Sequence, residues 1–129
     1  MAHPNEEWLR AAYDAYGRGD IEAATARFEP DMVWHVTGTN PLAGDYVGLE
    51  EIRGFFRRGA EAYAGTFRME VHDLLVNDEH ATVIVRATGQ RAGRLLDSWL
   101  CQVWHLRDGR AREFWELRFD PAADAAFWA

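Results

Sequence analysis

Among the 21 acidic residues, five histidines and one cysteine of this 129-residue chain, a few stand in apolar or aromatic company where they could move a proton, hold a metal or act as a nucleophile. His35 follows Trp34 near the end of a short apolar run, MVWHV, which breaks into a loop, residues 38–48, containing Gly38, Pro41, Gly44 and Gly48. An imidazole titrates near pH ~6.5, so His35 suits general acid–base work at neutral pH. Glu113 stands beside Phe114 and Trp115. A carboxylate walled by aromatic rings loses hydration, and the loss pushes its pKa into a range useful for proton transfer. The competing reading of Glu113 is a side chain that simply reaches solvent at the end of a sheet. Asp73 is a further carboxylate, just before the turn residues Asn77-Asp78; its competing reading is an Asp hydrogen-bonded to nearby backbone. His35, His72 and His105 match no compact metal-ligand spacing, and neither a cysteine pair nor an HExxH accompanies them, so no metal is expected. Cys101 is the only cysteine and has no nucleophile signature around it; it reads as a small outward or interface thiol.

Elements that could position these groups are visible in the periodicity. Residues 5–17, NEEWLRAAYDAYG, carry Trp8, Leu9, Ala12, Ala15 and Tyr16 at helical spacing, with Asn5 as the expected cap and Gly17 and Gly19 as the stop. Asp20 can cap a short second helix, IEAATARF, and Pro30-Asp31 punctuate before the strand MVWHV. Residues 49–63 place Leu49, Ile52, Phe55, Phe56 and Tyr63 on one stripe opposite Glu50, Glu51, Arg53, Arg57 and Arg58, which predicts the main amphipathic helix. From residue 66 the period becomes two. TFRMEVHDLLV, HATVIVRATGQ, LLDSWLCQVWHL and RAREFWELRF read as four antiparallel strands, the last pair joined by the hairpin signal Asp108-Gly109. If Phe67, Met69 and Val71 face the core, Asp73 does too. PAADAAFW, residues 121–128, reads as a closing helix with Pro121 in its first turn. Helices first and strands last indicate an α+β fold in a single domain, residues 1–129.

Composition narrows the function further. A formal net charge of −7 with scattered arginines argues against nucleic acid, whose binding draws on clustered basic residues. No apolar run approaches the ~20 residues that span a bilayer, and the N-terminus lacks the apolar core of a signal peptide, so neither membrane nor secretion is expected. A lone thiol fits a reducing compartment, and cytoplasmic localisation is the expectation. Six tryptophans, seven phenylalanines and four tyrosines exceed what so small a core needs, and aromatic walls suit a pocket for an apolar ligand.

The order helix, short helix, strand, glycine loop, long helix and four-stranded meander resembles the nuclear transport factor 2-like superfamily. Within it, "GDIEAATARFEPDMVWHVTGTNPLAGDYVGLEEI", "VHDLLVNDEHATVIVRATGQR" and "DGRAREFWELRFDPAADAAFW" resemble the SnoaL-like polyketide cyclase and ketosteroid isomerase-like branch over nearly the whole chain. The resemblance implies a cone-shaped curved mixed or antiparallel sheet wrapped around the N-terminal helices, an internal cavity for a small molecule, and a homodimer formed through the outer sheet face.

Set beside the isomerase and epoxide hydrolase patterns, the chain places Trp34, Val36, Val83, Val85, Ala87, Ser98, Leu100, Gln102 and Trp104 inward. From the last strand Glu113, Trp115, Leu117 and Phe119 would join them. His35, Asp97, Trp99, Cys101, His105, Phe114 and Glu116 would face out, His35 entering the cavity only through a one-residue bulge. The isomerase's base, tyrosine and acid positions match Val36, Ala12 and Gln102; the hydrolase's acids, arginine and water-holding pair match Ala81, Val83, Leu117, Trp34 and Val36. Neither constellation is present.

What the resemblance leaves is a small apolar, ring-containing ligand held by Tyr16, Trp34, Val36, Phe55, Val83, Val85, Leu100, Gln102, Trp104, Trp115 and Phe119. Glu113 or His35 would supply acid–base chemistry for a cofactor-independent isomerase, cyclase or hydrolase, with Gln102 and Tyr13 or Tyr16 polarising a carbonyl. The alternative is a non-catalytic binding module with the same pocket.

Overall fold

A computed structural model describes residues 2–129. Helix α1 (Pro4–Gly17) starts where Pro4 fixes the first turn. The His3 ring caps it, its Nδ1 accepting from the Asn5 amide at 3.0 Å, and Glu6 and Glu7 sit against the positive end of the helix dipole. Asn5 is therefore inside the helix rather than its cap. It is buried, accepts from Trp8 Nε1 at 2.9 Å and donates to the Asn77 carbonyl at 3.1 Å, pinning the helix start to a distant turn. The single turn α2 (Ile21–Ala24) is capped by Asp20, whose Oδ1 accepts from the Ala23 amide, and it ends well short of Phe28.

Strand β1 (Phe28–Val36) extends earlier than the apolar run suggested, through Pro30. The glycine loop contains a short edge strand, β2 (Gly44–Val47), before helix α3 (Leu49–Ala62). Strands β3 (Arg68–Val76), β4 (His80–Arg91), β5 (Arg94–Arg107) and β6 (Arg110–Arg118) form the meander, and helix α4 (Pro121–Trp128) closes the chain. The sheet order is β2-β1-β6-β5-β4-β3, with β1 parallel to β6 and every other pair antiparallel. This is an α+β domain built on a curved, unclosed mixed sheet. Against the sheet, α1 packs on β3, α3 on β1 and β2, and α4 on β5. Leu9 and Ile52 from the helices are wholly buried, as are Met32, Val83, Val85 and Phe114 from the strands.

Two bulges decide which side chains reach the concave face. On β3, Val71 pairs with Val85 but Asp73 with Ile84, so His72 is an extra residue. Leu74, not Asp73, then turns inward; Asp73 is exposed and its Oδ1 accepts from the Leu74 amide at 2.9 Å. On β6, Leu106 pairs with Ala111 but His105 with Glu113, so Arg112 is extra. Alternation restarts one residue late. Ala111, Phe114 and Glu116 are buried, while Leu117 and Phe119 are exposed.

Candidate functional site

Between the concave face and the helices lie two adjoining lobes with a shared wall, about 550 and 470 Å³ of space with the open solvent at their mouths included. Tyr16 of α1, Phe55 and Phe56 of α3 and Glu116 of β6 line both lobes. The apolar lobe continues over Ala12, Tyr13, Ala24, Trp34, Met69, Gln102 and Trp104. Its wall is a packed aromatic group: Phe114 stacks on Trp34 at 3.6 Å between centroids, and Trp104 stands edge-on to Trp34 at 5.6 Å. The second lobe is more polar, with Tyr63, Ser98, Arg118 and Asp124 among its lining residues. Helical spacing explains the shared wall, since Phe55 and Phe56 belong to the apolar stripe of α3.

One polar chain runs through this interior. Trp104 Nε1 donates to the Tyr13 hydroxyl at 3.2 Å, Tyr13 donates to Gln102 Oε1, and Gln102 Nε2 donates to Glu116 Oε1 at 2.9 Å. Arg118 Nη2 donates to Glu116 Oε2 at 3.3 Å, and Arg118 Nε lies 3.1 Å from Asp124 Oδ2, off the line that a hydrogen bond needs. Asn40 of the glycine loop donates to the same Asp124 oxygen at 3.1 Å and accepts from the Leu42 amide at 2.8 Å. The chain thus ties α1, β5, β6, α4 and the loop together. Burying a carboxylate is costly unless it is hydrogen-bonded and paired, and these partners supply both.

Three phenols stay protonated around it. Burial pushes Tyr16 up to about 12, with the charge of Glu116 adding to the effect and that of Arg68 opposing it. Burial likewise carries Tyr13 and Tyr63 well above the ordinary phenol value. At neutral pH all three are neutral hydroxyls, able to donate or accept.

Of the residues expected to bind a ligand, Tyr16, Trp34, Val36, Phe55, Leu100, Gln102 and Trp104 line the cavity. Val83 and Val85 are buried in the core but outside either lobe's lining. Glu113, Trp115 and Phe119 are corrections: the bulge at Arg112 turns them onto the convex face, where Phe119 is 59% exposed. Phe114 and Glu116, expected outside, take their places. His35 also stays on the convex face, because β1 keeps its alternation through Met32, Trp34 and Val36.

There His35 and Glu113 meet each other instead of the cavity. His35 Nε2 is 2.7 Å from Glu113 Oε2 and its Nδ1 is 2.7 Å from Asp45 Oδ1, with the ring stacked on Trp115. Partial burial lowers the His35 pKa, but the hydrogen bonds and charges of Glu113 and Asp45 outweigh it, and the net shift is upward. No group of three or more His, Cys, Asp or Glu side chains suited to a metal ion occurs among the described residues.

Residues 9–114 match the SnoaL-like domain family. The chain belongs to that family. An uncharacterized protein of Mycobacterium tuberculosis, Rv0034, is 32% identical to this SnoaL-like chain over 122 residues, covering 94% of this chain and 93% of the relative. Among solved structures, Bal32a from a soil-derived mobile gene cassette is similar with a TM-score of 0.91 at 32% identity, over 98% of this chain and 97% of that one. An NTF2-like protein of unknown function from Burkholderia pseudomallei superposes with a TM-score of 0.89 at 23% identity, over 99% of both chains. TerC, co-crystallized with polyporic acid, superposes with a TM-score of 0.86 at 21% identity, over 97% of this chain and 98% of TerC. The last two share the fold.

In this SnoaL-like chain the residues that sequence reasoning missed are Glu116, Arg118, Asp124 and Asn40. Their signal was a charged set, Glu116 and Arg118, alternating with the more apolar Trp115, Leu117 and Phe119. Only knowledge of the Arg112 bulge turns that signal inward.

Proposed function

We propose that this SnoaL-like protein binds a small apolar, ring-containing molecule in the two-lobed cavity and moves a proton on it through Glu116. The reaction class is a cofactor-independent isomerisation, cyclisation or hydrolysis. One observation carries the reading: a buried carboxylate lines both lobes, amid aromatic walls and neutral phenols. Gln102, oriented by Tyr13, holds one oxygen of that carboxylate. Tyr16 lines the same space and offers a hydroxyl that can polarise a carbonyl or receive charge developing on it. The co-crystallization of TerC, which shares this fold, with polyporic acid supports a small-molecule role.

The test is a screen of cyclic enones, lactones and epoxides, with binding followed by quenching of tryptophan fluorescence. Glu116→Gln is expected to abolish turnover while leaving affinity within roughly tenfold, about 1.4 kcal/mol. Full turnover by Glu116→Gln would refute the proton-transfer role. The second reading, a binding module without chemistry, is favoured by the engagement of both Glu116 oxygens, one by Gln102 and one by Arg118. Binding across the screen without any turnover would select it.

The convex face is read as the contact for a second copy of the chain. Trp99 and Leu117 are about two-fifths exposed there, at 38% and 40%, beside the half-buried Trp115. Apolar surface of that kind is usually covered in use. No helix of the described residues is long and apolar enough to cross a membrane. Cytoplasmic residence is proposed on the single free thiol, Cys101.

A further inference from the structure

The polar lobe carries more negative than positive formal charge. Among the described residues lining the two lobes, Arg118 is the only base, against the carboxyl groups of Glu116 and Asp124. All three are tightly enclosed, their side chains 11%, 11% and 6% exposed in the order Arg118, Glu116, Asp124. Each acid has Arg118 as its ionic partner, so one guanidinium faces two carboxyl groups in space where water screens poorly. Burial is the main reason the phenols beside it stay neutral; the charge of Glu116 adds to the effect at Tyr16, and at Tyr63 the charges of Glu116 and Asp124 oppose the lowering by Arg118.

The lobe is also rich in unused acceptors. Asp124 Oδ2 accepts from Asn40 and lies 3.1 Å from Arg118 Nε without a hydrogen bond, and its Oδ1 has no hydrogen-bond partner among the described residues. Ser98 and Tyr63 are buried to 9% and 6% exposure, line this lobe, and have hydroxyls with no side-chain partner there. The rings of Tyr16, Phe55, Phe56, Tyr63 and Phe67 complete the wall, and an aromatic face attracts a cation. An ammonium group brings three donors, no acceptor and one positive charge. A carboxylate could use the hydroxyl donors and Arg118, whose buried Nε has no hydrogen-bond partner among the described residues, but would meet both acids.

We propose that the ring molecule bound in this cavity is an amine, its protonated nitrogen seated in the polar lobe between Glu116, Asp124 and the Ser98 and Tyr63 hydroxyls, with its ring in the lobe walled by Trp34 and Trp104. The inference rests on the cavity being a ligand site and names the chemical class of that ligand. The overall charge of −7 favours the approach of such a cation.

Three probes sharing one ring separate the possibilities: 2-naphthylmethylamine, 2-naphthalenemethanol and 2-naphthoate, titrated calorimetrically at neutral pH and low salt. The amine is expected to bind at least tenfold more tightly than the alcohol, and the naphthoate more weakly than either. Asp124→Asn and Glu116→Gln should each cut the advantage of the amine over the alcohol at least threefold; two variants guard against loss of folding in one. Naphthoate binding as tightly as the amine, or an amine advantage unchanged in both folded variants, overturns the inference. If the alcohol binds with no preference for the amine, the inference fails while the cavity reading stands. If none of the three binds, both fall.

Discussion

The inward turn of β6 can be tested by removing two neighbouring rings that a one-residue shift would exchange. Phe114 is wholly buried, stacked on Trp34 at 3.6 Å with an interplanar angle of 15°, and edge-on to Trp104 at 4.8 Å. Truncating a buried Phe to Ala costs ~3–5 kcal/mol, and the lost stack of worth ~0.5–1.5 kcal/mol places Phe114→Ala toward the top of that range. Trp115 is half-buried on the convex face and packs on the imidazoles of His35 and His105, so Trp115→Ala should cost ~1–2 kcal/mol. For a domain of this size each kcal/mol lowers the melting temperature by about 3–4 °C, giving a fall of about 10–20 °C for Phe114→Ala and about 3–8 °C for Trp115→Ala. Urea unfolding followed by far-ultraviolet circular dichroism measures both. It should be run at a concentration where sedimentation finds the same species for each variant, because association adds concentration-dependent stability. A larger loss for Trp115→Ala than for Phe114→Ala would refute the Arg112 bulge and return Glu113 to the cavity.

Three other outcomes are expected. Gly89→Ala would bring its Cβ within 2.8 Å of Tyr63 Cδ1, a ring already packed by Phe67, Phe127 and Trp128, so it should cost ~1–3 kcal/mol in urea unfolding, and less in a Tyr63→Ala background. The His35 pKa is raised in the folded state, so its stabilising effect is complete below the unfolded value of about 6.5 and is lost as pH rises through the folded value; the stability gap between wild type and His35→Gln should narrow from about pH 6.5 upward, and a gap that widens would refute the carboxylate clamp. Sedimentation at concentrations on the order of micromolar should give a dimer, and Trp99→Glu should give a monomer with unchanged circular dichroism; a wild-type monomer refutes the convex-face contact.

Much of the architecture was legible because local signals agreed with the fold. Helix α4 follows from Asp120, Pro121 and an apolar end at Phe127 and Trp128, and its observed bounds coincide with the expected ones. Helix α3 follows from one stripe, and the hairpin at Asp108-Gly109 from its turn residues. The edge strand β2 was not legible: Gly44-Asp45-Tyr46-Val47 is too short to alternate and stands among turn formers, and its pairing with β1 exists only in three dimensions. Asn5 misled as a cap because its actual partners, Trp8 and the Asn77 carbonyl, include one 72 positions away.

The site itself failed for a different reason. Along EFWELRF, the set Glu113, Trp115, Leu117 and Phe119 is the more apolar of the two alternating faces, and hydrophobic patterning alone assigns it to the core. The fold instead buries Phe114, Glu116 and, nearly so, Arg118. That choice is tolerable only because Gln102 from β5 and Asp124 from α4 meet the two charges, and Asn40 from the glycine loop meets Asp124. A purely structural core would gain by turning Leu117 inward and leaving Glu116 in water, since a buried ion pair is often replaceable by apolar residues at no loss of stability. A chain that uses a bulge to take up the costlier arrangement breaks its own local pattern where the cavity lies, which is where departures from pattern are expected to serve function. The opening juxtaposition of Trp34 and His35 follows the same division. The tryptophan walls the cavity and the histidine is clamped between Asp45 and Glu113 on the opposite face, so a single strand serves the proposed ligand site on one side and the proposed contact with a second copy on the other.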